Sequence, residues 1–297
     1  MELWSTKGAR RVRVGDVELA VHEAGSGHPV VLIHGFPELA YSWRHQVPAL
    51  ADAGYRAIAY DLRGFGGSSR PESVEAYRLT ELVIDLVGLL DALDVDRAVV
   101  VGHDWGSIVA WATAVMHRDR VRAVVSLNVP YRGWCCGFPD TSIIRSTLMD
   151  RLGYVVGFQD GTAEERFAAD PAAWLRRMYT RVAARPDFMS DDEFAVYHEA
   201  FAAGGISAPL NLYRNIDRNA IDAAPYAGAP MTVPVSMIVG DSDPILPVGL
   251  TEGMERWVAD LRVDVVAGCG HWTQQERPEQ VNRLLIGFLD DLTARAG

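Results

Sequence analysis

Short β-branched apolar runs alternate along the chain with longer amphipathic segments, and this alternation limits the fold more than any other feature. Continuous apolar runs at 30–33, 57–60, 98–101 and 121–127 suit strands buried on both faces of a sheet. The connections between such strands have to cover the sheet, and helical periodicity at 43–53, 79–93 and 108–117 supplies them. Two earlier runs, 11–14 and 17–22, are separated only by Gly15-Asp16, a two-residue hairpin turn, so the sheet begins antiparallel. The expected class is α/β, a mostly parallel sheet flanked by helices.

After Asn128-Val129-Pro130 the rhythm stops until about 229, a stretch far too long for a loop. Its pieces at 172–184 and 192–202 carry helical periodicity. They predict a helical lid, or cap, over 131–228, inserted into a sheet domain made of 1–130 and 229–297. Strand runs return at 235–239 and 262–266, and Pro278 opens a last helix that runs to about 292.

Composition narrows the partners. Among 297 residues, 28 Lys and Arg against 39 Asp and Glu leave a net charge of -11, which offers no positive field to a phosphate backbone, so nucleic acid is excluded as a partner. Cys135, Cys136 and Cys269 lack metal-ligand spacing and are read as reduced thiols of a cytoplasmic protein. The opening residues lack the apolar run of a secretory signal, and no stretch reaches the roughly 18 apolar residues of a membrane span, so a soluble, unprocessed chain is expected. Nothing in the sequence sets the oligomeric state, and a homodimer is left open.

Chemistry concentrates at four turns, each directly after a strand run. AVVVGHDWGS, 98–107, is a strand entering a helix through small-x-acid-x-small, the elbow that usually presents a serine nucleophile, here with Asp104 in its place. Taken alone, Asp104 also reads as a helix N-cap. HGFPE, 34–38, can aim the Phe36 N–H at the space above Asp104, where with the Trp105 N–H it would form an oxyanion hole; His34 itself reads as structural. GCGHWTQQ, 268–275, places His271 at the same end of the sheet, and Asp243 in VGDSDP, 239–244, completes the chain order nucleophile, acid, histidine, with Asp241 as its rival. Trp105 and Trp272, with Phe36 and Pro37, are candidates for the lining of an apolar pocket. RGFGGSS, 63–69, lacks the residues of a phosphate or dinucleotide loop and reads as a structural turn. No metal-ligand set exists, so neither a metal nor another cofactor is expected.

Through HGFPE with YSWRHQ, DLRGFGGSS, GHDWGS, NLYRNIDRN and GHWTQ, the chain resembles the epoxide hydrolases of the α/β-hydrolase fold, of the soluble epoxide hydrolase type, over nearly its whole length. The resemblance implies Asp104 as nucleophile, His271 as base, Asp243 as orienting acid in preference to Asp241, and two lid tyrosines. Tyr213, in NLYRN, matches the second of these specifically, and Tyr154, before Phe158-Gln159, matches the first more loosely. An aspartate is already ionised at neutral pH and attacks an sp3 carbon without a base, whereas the alkoxide expelled from an epoxide needs a proton, the role implied for the tyrosines. The partners so implied are a small apolar epoxide and water. A haloalkane or haloacid dehalogenase could use the same triad, but haloalkane dehalogenases often carry asparagine where Phe36 stands and need no motif around Tyr213. A ligand-binding relative that no longer turns over is the reading from outside the enzymes.

Overall fold

A computed structural model describes Trp4, residues 9–133 and residues 139–295; Cys135 and Cys136 lie outside the described residues. All eight expected strands form, as β1 (Arg10–Val14), β2 (Val17–Ala24), β3 (Pro29–Ile33), β4 (Arg56–Tyr60), β5 (Ala98–His103), β6 (Val121–Leu127), β7 (Val235–Gly240) and β8 (Leu261–Val266). They make one sheet in the order β1-β2-β4-β3-β5-β6-β7-β8. β2 runs antiparallel to both neighbours, and the pairs from β4 to β8 are parallel.

Helices α1 (Gln46–Asp52), α2 (Leu79–Ala92) and α3 (Trp105–Met116) connect these strands up to β6. Between β6 and β7 come α4 (Thr141–Thr147), α5 (Met149–Gly157), α6 (Thr162–Ala169), α7 (Pro171–Val182), α8 (Asp191–Gly204), α9 (Ser207–Arg214) and α10 (Ile216–Ala223). α11 (Thr273–Glu276) and α12 (Pro278–Ala294) follow β8.

Where the helices depart from expectation, local chemistry explains it. The helix expected over 43–53 is a 3-10 turn, Ala40–Trp43, followed by α1, which starts early enough to hold Pro48 in its first turn, where the missing N–H has no intrahelical partner to lose. α3 begins at Trp105 rather than 108, because the elbow leaves no spacer between strand and helix. In the inserted region α7 and α8 match the expected periodic pieces, and each carries an N-cap: Asp170 before Pro171, and a Ser190–Glu193 capping box. The other inserted helices have only seven to nine residues, too few turns to show a period.

Two apolar cores flank the sheet. One binds it to α1 and α12; the other joins α2, α3 and the inserted helices through Phe158, Tyr179, Tyr197 and Leu210. The two edge strands are exposed on one face, at Arg11 and Arg13 of β1 and at Val263 and Val265 of β8. β3 lies between β4 and β5, so the chain leaves its carboxyl end in one direction and returns on the other side; ligands of open α/β sheets bind at such a reversal. The HGFPE turn follows β3 and Asp104 follows β5, and both therefore open onto this crevice.

Candidate active site

The elbow works because two glycines remove the atoms that would block it. A Cβ on Gly102 would collide with the Gly106 carbonyl, and one on Gly106 with the carbonyl of Ile33 in β3. The strain falls on the residue between them: Asp104 has φ 51° and ψ −119°, a region costing about 1–3 kcal/mol for a non-glycine residue. Its carboxylate Oδ1 accepts the Phe36 N–H at 2.9 Å, and the Trp105 N–H donates to the same carboxylate. Burial pushes the Asp104 carboxyl above the usual carboxylate range, while His271, His103 and these two N–H groups oppose that shift only in part.

His271 Nδ1 donates to Asp243 Oδ2 at 2.7 Å, and its Nε2 stands 3.8 Å from Asp104 Oδ2. Asp243 Oδ1 accepts the backbone N–H groups of Ile245 and Leu246, which aims its other oxygen at the imidazole. Asp241 instead accepts from the Ser242 hydroxyl and the Cys269 N–H. Burial works against an imidazolium at His271, yet Asp243, then Asp104 and Glu38, outweigh it and raise the ring to about 9. Burial works against the charge of Asp243 too, and the imidazole with the two N–H donors outweighs it, holding that carboxyl below its usual range.

A cavity above Asp104 is walled by Phe36, Tyr154, Tyr213, His271 and Trp272, with Met178 and Val182 from α7. A second cavity leads away from Asp104 and Tyr154 along Ile108, Leu148, Leu152 and Leu246. The rings of Tyr154, on α5, and Tyr213, on α9, lie 6.0 Å apart, and burial followed by the Asp104 charge raises both phenols far above their usual value. Both remain protonated and able to donate. Two expected lining residues stand outside these cavities. Pro37 sits behind, its carbonyl accepting the Tyr179 hydroxyl, and Trp105, as the first residue of α3, turns its ring edge-on to Tyr213.

His34 is structural: its Nδ1 donates to the Gly35 carbonyl, and its Nε2 accepts the Leu62 N–H. The RGFGGSS turn is structural as well, with Arg63 paired to Asp85 and Asp61 accepting the Gly67 N–H. Cys269 is buried and unpaired, and burial pushes its thiol up to about 12. Among the described residues no three His, Cys, Asp or Glu side chains group as metal ligands.

Three polar residues were not singled out from sequence. Glu38 is fully buried and accepts from the Gly35 N–H, His103 Nδ1 and the amides of Gln274 and Gln275. Burial alone would raise its carboxyl, and the His103 ring with the Gly35 N–H holds it low. His103 Nε2 and the Asn128 amide both donate to the His271 carbonyl, at 2.8 and 2.6 Å. Glu38, His103 and Asn128 thus fasten the HGFPE turn and the histidine loop to the elbow. The available signal was position: two of them lie inside HGFPE and GHDWGS, and Asn128 directly follows β6 with φ 67°.

Residues 28–278 match the alpha/beta hydrolase fold family. Epoxide hydrolase A of Mycobacterium tuberculosis is 42% identical across 96% of the chain and 98% of its own length. Epoxide hydrolase B of the same organism is 34% identical across 90% of the chain and 92% of its own length. The crystal structure of epoxide hydrolase A from Mycobacterium thermoresistibile superposes with a TM-score of 0.88 at 39% identity, covering 95% of the chain and 98% of that structure.

Proposed function

The chain belongs to the epoxide hydrolases of the α/β-hydrolase fold, and from that premise we propose that it opens an epoxide to a vicinal diol through an ester on Asp104. The protein is an enzyme of the epoxide hydrolase type, and its reaction runs through the Asp104–His271–Asp243 triad. The observation that carries the residue roles is the arrangement around Asp104: a carboxylate on a strained elbow, two phenols across the cavity, and a histidine 3.8 Å away held by a second carboxylate.

In the first step Asp104 attacks an epoxide carbon, and the C–O bond on that carbon breaks. The expelled oxygen takes a proton from Tyr154 or Tyr213, whose partner phenol donates a hydrogen bond. During this step His271 is the imidazolium, because Asp104 and Asp243 both support its charge. Esterification turns Asp104 neutral and removes one of those supports, so the imidazolium gives up its proton, which restores the phenol spent in the first step. The imidazole then takes a proton from water, which attacks the ester carbonyl. The Phe36 and Trp105 N–H groups, already bonded to the Asp104 carboxylate, hold the oxyanion that forms there. Collapse cleaves the bond between the carbonyl carbon and the oxygen that Asp104 donated, which takes a proton, leaves with the diol and returns Asp104 to its carboxylate.

The cap over 131–228 belongs to the same proposal: α5 and α9 bring the phenols and α7 brings a wall of the cavity. The apolar lining suits a small apolar epoxide, with water as second substrate, and no helix among the described residues is long and apolar enough to cross a membrane. A cytoplasmic location completes this reading. The decisive experiment follows oxygen in a single turnover, with enzyme in excess in labelled water. The first diol should carry no label, and Asp104 should gain it. Label in that first diol means direct attack by water and overturns the covalent route.

A further inference from the structure

The last turn of α7 ends on the histidine loop rather than on a glycine cap. The terminal carbonyls of a helix lack intrahelical partners. Here the Val182 carbonyl accepts the His271 backbone N–H at 2.9 Å, and the Tyr179 carbonyl accepts the Trp272 indole N–H at 2.8 Å. Directly beside this joint lies a carboxylate that the mechanism does not use. Glu276, in α11, is 2% exposed. Its Oε2 accepts the N–H groups of Ala184 and Arg185, just past α7, and of Gly270, one residue before the base. Its Oε1 accepts the Trp272 N–H, one residue after the base. Gly270 completes the fit, since a Cβ there would collide with the backbone of Val182, Ala183 and Ala184.

We infer that Glu276 is a positioning residue for ester hydrolysis: one buried carboxylate latches the end of cap helix α7 to both sides of His271 and so fixes the base over the Asp104 ester. The inference rests on the two-step reading above. It is selective for the second step, because Asp104 sits on the β5–α3 elbow and the phenols sit on α5 and α9, none of them bonded to Glu276. Only a carboxylate satisfies the whole set. An amide at 276 keeps one acceptor oxygen and turns its NH2 toward an N–H donor, so at least one side of the latch opens. A shift of about 1 Å in a reacting group can slow a step on the order of 10²-fold.

The test measures both half-reactions of Glu276→Gln with an epoxide the wild type converts to diol, using rapid quench and intact protein mass. Alkylation should stay within about 2-fold of wild type, and ester hydrolysis should slow at least 10-fold, so that alkylated protein dominates the steady state. Gly270→Ala wedges the same joint with the carboxylate intact and should give the same split, which keeps the test alive if either variant fails to fold. Thermal melting identifies the folded variant to be read. Equal slowing of both steps in a folded variant makes Glu276 a general structural brace and overturns the inference, as does hydrolysis at the wild-type rate. If the wild type itself forms diol with no ester, the covalent reading falls first, and the positioning role falls with it.

Discussion

His271 faces two carboxylates at once, and the charge on Asp104 decides whether it can serve as a base. Because attack by Asp104 precedes any need for that base, His271→Gln should still alkylate while its ester hydrolysis falls about 10² to 10⁴-fold. Intact mass after exposure to an epoxide should then show the protein heavier by one substrate. Unmodified protein despite measured substrate binding would remove the base from the second step. In the proposed route the tyrosines act in the first step. Losing one donor to a developing oxyanion typically costs on the order of 10² to 10³ in rate. Tyr154→Phe and Tyr213→Phe should each slow alkylation, somewhat less than that because the other phenol remains, and the double variant should nearly abolish it. Chloride or bromide leaves without a proton, so the wild type should release little halide from haloalkanes if its site is built around those phenols. Asp104 and His271 were legible in the sequence because each follows a strand run in a fixed chain order, whereas Asp243 was preferred to Asp241, two residues away in the same turn, through the family resemblance. Glu38, His103 and Asn128 were not legible, since their partners lie far along the chain and meet only after the sheet has formed.

Among the elements, the β5–α3 elbow joins stability to function most directly. The turn places a residue with a Cβ at φ 51°, where glycine alone is at ease. Alanine usually outperforms glycine by about 0.5–1 kcal/mol inside a helix or strand. At this turn the order should reverse, with Asp104→Gly more stable than Asp104→Ala by about 1 kcal/mol in urea unfolding while both lack activity. Alanine equal to or better than glycine would mean that the elbow stores no strain. Strand positions were legible because five of these strands are almost wholly apolar and bounded by turns. The cap was legible as an insertion but not as the seven helices of its described residues, because pieces such as α4, capped by Asp140, and α6, which follows Gly161 with no side-chain cap, are too short to show a repeating apolar face.

Across the whole molecule, the triad ties together the ends of three strands: Asp104 follows β5, Asp243 follows β7 and His271 follows β8. Folding therefore creates the charge pairing, and stability has to follow its protonation. The imidazole of His271 rises from 6.5 to about 9 on folding, so its contribution is fully present below pH 6.5 and is lost as pH climbs through about 9. Asp243 has the opposite dependence. Its carboxyl is held below the usual range, so its contribution is present above ordinary carboxylate values and fades only as acid protonates it in the folded state. His34 and His45 lie below 6.5 because burial disfavours their cations, so neither produces a decline between pH 6.5 and 9, whereas the Cys269 thiol, raised from 9.0 to about 12, adds a decline of its own only as the pH reaches 9. Urea unfolding at intervals across that range should show wild-type stability falling, most steeply midway between 6.5 and 9, where the unfolded imidazole is neutral and the folded one still charged. His271→Gln removes the titrating group and should flatten the profile over the same interval. An equal decline in the variant would place the loss in other groups, and the triad would then contribute to catalysis without clamping the three strand ends.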